Sequence, residues 1–90
     1  MPNLRELADN MFERVCTDGQ ATVTLSRGLT ISLSEDEIGE WQLELRRKNV
    51  APSAIEIQLI REAFQVPTDA VVSQAGFSVT LTWQDQEDEE

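Results

Sequence analysis

A chain of 90 residues has room for one hydrophobic core, and 40% hydrophobic with 27% charged residues is the balance of a folded domain, not of a disordered one. Having no histidine, no tyrosine and a single cysteine excludes Ser-His and Cys-His nucleophile pairs, histidine acid-base chemistry, Cys/His zinc sites and haem ligation by histidine. Seventeen acidic residues against seven basic ones give a formal net charge of -10, which repels phosphate backbones and anionic headgroups and argues against direct nucleic-acid or membrane binding.

From Leu4 to Val15 the apolar residues Leu4, Leu7, Ala8, Met11, Phe12 and Val15 recur at steps of three and four, the spacing of one helix face. Asn3 is a candidate N-cap, and Asp18-Gly19 a stop. Charged and apolar residues alternate from Met1 to Arg14, which predicts no signal peptide, and no apolar run approaches the roughly 18 residues of a membrane span. A cytoplasmic location is expected. Cys16 has no partner for an intramolecular disulfide and is expected to be a buried thiol.

The period changes to two between Gln20 and Leu33. Ala21, Val23 and Leu25 alternate with threonine, and Leu29, Ile31 and Leu33 alternate with Thr30 and Ser32. Pairing Leu25 with Leu29 keeps every aliphatic residue on one face and predicts a three-residue hairpin loop with Gly28 in the left-handed region.

Ser34-Glu35-Asp36-Glu37 matches a capping box, and the basic triplet Arg46-Arg47-Lys48 suits a helix C-terminus, so a second helix is expected from Glu35 to Lys48. Its inward face is Ile38, Trp41 and Leu45, with Leu43 on nearly the opposite side. A second capping box, Ser53-Ala54-Ile55-Glu56, opens a third helix over residues 53–65. There Ile55, Ile57, Leu59, Ile60, Ala63 and Phe64 cover an arc of about 200°, more than one inward stripe requires.

Residues 70–75 read equally as a short strand or a helical turn. Phe77, Val79, Leu81 and Trp83 then alternate with Ser78, Thr80 and Thr82 as the clearest strand. The expected fold is an α+β two-layer sandwich in the order α-β-β-α-α-β, with an antiparallel sheet of three or four strands covered on one face by three helices. Residues 1–83 form the single domain and residues 84–90 a disordered acidic tail holding five of the 17 acids.

The four glycines are isolated, so no phosphate-cradling loop exists, and no EF-hand spacing occurs. No cofactor, metal site, catalytic residue or small-molecule substrate is expected. The acidic-surface candidates Glu35, Asp36, Glu37 and Glu40 are read as a dipole-favoured helix start. A helix-turn-helix reading of the second and third helices fails because the would-be recognition helix sets Glu56 and Glu62 against Arg61 alone. The apolar excess at Leu43, Ile57, Ile60 and Phe64 is the candidate protein interface. These features predict a non-enzymatic interaction module, a homodimer or one docking on a larger protein through helix 53–65. The alternative is an acidic mimic of nucleic acid occupying the basic groove of a DNA- or RNA-binding protein.

Overall fold

The computed structural model describes residues 4–25 and 28–84. Its elements are α1 (Leu4–Asp18), β1 (Gln20–Thr24), β2 (Thr30–Glu35), β3 (Glu40–Arg46), α2 (Ala54–Ala63), β4 (Val71–Ala75) and β5 (Ser78–Gln84). The five strands form one antiparallel sheet in the order β1-β2-β3-β5-β4. Of the readings above, Asn3, the loop residues Ser26 and Arg27, and the tail beyond Gln84 lie outside the described residues; Gln84 ends β5.

The α+β class and the antiparallel sheet agree with expectation, whereas the element count does not: the described residues hold two helices and five strands. The expected second helix, Glu35 to Lys48, is a tight turn followed by β3. Asp36 caps this turn and not a helix. Its Oδ1 accepts from the backbone N–H of Ile38 at 3.0 Å and of Glu40 at 2.9 Å, while its own N–H donates to the Glu40 carbonyl at 3.0 Å. Gly39, at φ 87, supplies the left-handed residue that closes such a loop.

Trp41, Leu43 and Leu45 then all point into the core, and Gln42, Glu44 and Arg46 point away. As a helix, this segment would leave Leu43 outside. As a strand it buries Leu43 completely, a gain of about 1.5–3 kcal/mol, and satisfies the facing edges of β2 and β5. Ile38, expected inside, is 75% exposed in the turn.

The hairpin between β1 and β2 has the expected register, with the Leu25 N–H donating to the Leu29 carbonyl at 2.7 Å and Gly28 at φ 74. The helix expected over 53–65 forms as α2 with its capping box intact. Ser53 Oγ accepts from the Glu56 N–H at 3.2 Å, and Glu56 Oε1 accepts from the Ser53 N–H at 3.0 Å. Residues 70–75 resolve as strand β4 and its approach.

One sheet face carries the core residues Ala21, Ile31, Leu33, Leu43, Leu45 and Leu81, and both helices pack there through Ala8, Met11, Val15, Ile60 and Phe64. Phe12 of α1 joins the halves, with its ring centroid 5.1 Å from Trp41 and 5.8 Å from Phe64. The opposite face holds the threonines and serines that alternate with these residues, with Thr22 Oγ1 donating to Ser32 Oγ at 3.3 Å. β3 interrupts it with Gln42, Glu44 and Arg46. Cys16, expected to be buried, is exposed near the end of α1. No helix among the described residues is long and apolar enough to cross a membrane.

Candidate interaction surface

The residues singled out as an interface fall mostly inside the chain. Leu43, Ile60 and Phe64 are enclosed, and Ile57 is partly buried against the same core. The wide apolar arc of α2 is divided between core and solvent. One side meets the aromatic group at Phe12, which buries Phe64, and the remaining side leaves Ile55 and Leu59 in solvent. A partner approaching α2 would therefore meet Ile55 and Leu59, not Leu43, Ile60 or Phe64.

The carboxylates Glu35, Asp36, Glu37 and Glu40 do come together, at the β2–β3 turn. Asp36 is occupied in holding backbone N–H groups, and Glu40 sits opposite Gln84 in the ladder. No group of three or more His, Cys, Asp or Glu side chains arranged to hold a metal ion is found among the described residues.

The basic triplet lies at the other end of the same strand. Arg46 pairs with Ser78 on one side and Thr30 on the other, and Lys48 is exposed just beyond. Arg47 is not a helix cap. It reaches α2, where Nη1 donates to Glu56 Oε1 at 2.7 Å and Nη2 to Oε2. This pairing, reinforced by the Ser53 N–H, holds the Glu56 carboxyl down from its ordinary 4.5 to about 2. The sheet is thus polar end to end, with acids at the β2–β3 turn and bases where β3 ends.

The exposed apolar side chains cluster elsewhere. All five residues of β4 are exposed, Val71 at 65% and Val72 at 47%, and Phe77 in the β4–β5 turn is half exposed. Among the described residues, β4 is a sheet edge paired only with β5. Neither helix makes its main packing on it: α1 packs on β1 and β2, and α2 joins the core through Ile60 and Phe64. From Ala70 to Gln84 the sequence has no charged residue, and β4 has none of the proline, lysine or bulge that commonly shields an edge. The other edge, β1, is also uncharged, but it is overlaid by α1 and buries Ala21.

No protein-family model matches the chain, and comparison with curated proteins and with solved structures likewise finds no match. The geometry of β4 therefore carries the functional argument. Sequence reading missed this edge because strand order is invisible in it. Two adjacent β-branched residues followed by a charge-free hairpin were the available signal.

Proposed function

We propose that this chain acts by binding protein, not by catalysis, and that it docks through the edge of its sheet at β4, with the outward residues Ile55 and Leu59 of α2 as a secondary contact. The observation that carries this reading is a charge-free edge strand, all five of whose residues are exposed, in a chain of net charge -10. Such an edge offers unpaired N–H and C=O groups to another chain, with Val71 and Val72 supplying apolar contact on the two faces. Its occupant is a copy of the chain itself or a larger protein.

A second reading, mimicry of nucleic acid, draws on the carboxylates Glu35, Asp36, Glu37 and Glu40 gathered at one pole. Salt separates the two, because charge-driven capture weakens steeply as salt is added whereas strand pairing barely responds. The experiment is affinity capture from native lysate at low and high salt, with the wild type and with Val72→Lys and Glu35→Lys/Glu37→Lys variants. Salt-resistant capture abolished by Val72→Lys is the expected result. Salt-sensitive capture abolished only by the glutamate reversals would replace docking with mimicry.

A further inference from the structure

We infer that the occupant of the β4 edge is a second copy of this chain, paired antiparallel about a two-fold axis at Ser73 so that two five-stranded sheets become one of ten. This rests on the reading of β4 as a docking edge and adds the partner and the register.

The register follows from the β4–β5 hairpin. Ala75 pairs with Ser78 across the two-residue turn Gly76-Phe77, and Gly76, at φ 60, stands first in that turn as a type II′ turn requires. A two-residue turn is closed by a hydrogen-bonded pair, and such pairs alternate along an antiparallel ladder. Ala75, Ser73 and Val71 therefore direct their backbone groups toward β5. Val72 and Gln74, opposite Leu81 and Val79, direct theirs to the open edge. In a two-fold antiparallel pairing, only the register that sets Val72 against Gln74 of the second copy uses all four outward-pointing residues at once. It places Ser73 against Ser73 on the axis and Val71 against Ala75, a larger side chain beside a smaller one.

Charge selects a second copy over an arbitrary strand. Val71 lies at the end of the sheet shared with Glu40 and Asp69, and the β4–β5 turn lies at the end where the Arg47 N–H donates to the Phe77 carbonyl. Antiparallel pairing reverses one molecule against the other. Asp69, which precedes β4, then lies toward the end of the partner copy that bears Lys48, with Glu40 and Arg46 two strands in from the seam on either side. Two molecules each of net charge -10 repel over most orientations. This arrangement joins them along a charge-free seam and opposes unlike ends.

The test uses the full chain in a Cys16→Ser background, which removes the one native thiol. Sedimentation is expected to give twice the chain mass. Ser73→Cys is expected to form an intermolecular disulfide on air oxidation, since facing residues in a non-hydrogen-bonded pair stand about 4.5 Å apart at Cα. Val71→Cys, four residues out of register with itself, is expected not to. Val72→Pro removes an outward N–H without touching the β4–β5 ladder, and is expected to raise the dimer dissociation constant roughly tenfold or more with the fold intact by circular dichroism. Val72→Lys serves the same purpose should proline perturb the strand.

A monomer at every concentration overturns the inference. So does a dimer indifferent to both Val72 variants, or one cross-linked through Val71→Cys but not Ser73→Cys. If the chain is monomeric yet Val72→Lys abolishes capture of a lysate protein, self-pairing fails while docking at β4 stands. If Val72→Lys changes neither, both fail.

Discussion

Arg47, one residue past the end of β3, grips Glu56 in the first turn of α2 through both guanidinium prongs, while Glu56 also receives the Ser53 N–H of its own capping box. One carboxylate thus fastens the helix start to the sheet and closes the cap.

That dual role sets a pH dependence. The folded-state value of Glu56 is depressed to about 2, so its stabilisation is present above the ordinary value of 4.5 and is lost as pH falls from there toward 2. Glu56→Gln is expected to lower stability by about 1 kcal/mol at neutral pH, and the gap to wild type should close across that window. Urea unfolding of both proteins at a series of pH values checks this. A gap that persists at the acid end would mean that the carboxylate charge contributes nothing.

Leu43 and Ile38 separate strand from helix for the segment that joins them. Leu43→Ala is expected to destabilise by about 2–5 kcal/mol, because it opens a cavity in the middle of the sheet. Ile38→Ser should change stability by no more than about 0.5 kcal/mol. Denaturant titration decides, and the reverse ranking would restore a helix here.

Phe64→Ala is expected to cost about 3–5 kcal/mol and to alter tryptophan fluorescence, since Phe64 meets Phe12, which packs edge-on against Trp41. Ile55→Ala and Leu59→Ala, on the outward side of the same helix, should leave both stability and fluorescence nearly unchanged.

Asp36→Ala removes the acceptor for two backbone N–H groups and is expected to lower stability by about 1 kcal/mol, whereas Asp36→Asn, which keeps an acceptor oxygen, should lose less. Gly39→Ala forces a side chain onto a backbone at φ 87 and should cost about 1 kcal/mol as well. Thermal melts of the three variants measure the turn directly.

The misreading of residues 35–48 has a specific origin. Trp41 and Leu45 share a face under both a helical and a strand period, so only Leu43 against Ile38 distinguishes the two. The serine and three acids before them imitate a helix cap, yet Asp36 and Gly39 suit a hairpin equally well. The enclosure of Ile60 and Phe64 was hidden for a related reason. Whether the apolar excess of α2 is surface or core depends on what lies above it, and the Phe12 ring that covers Phe64 comes from a helix some fifty residues earlier in the chain.

Features that rest on neighbours within a few residues were readable in the amino-acid order: α1, the Leu25–Leu29 hairpin, the Ser53–Glu56 cap, the alternation of β5 and the acidic balance. The insertion of β3 between β2 and β5, and the position of β4 at an uncovered edge, were not. Those two outcomes arise from hydrogen-bonding partners brought together by the whole chain, and a strand becomes central or peripheral according to which distant edges remain to be satisfied.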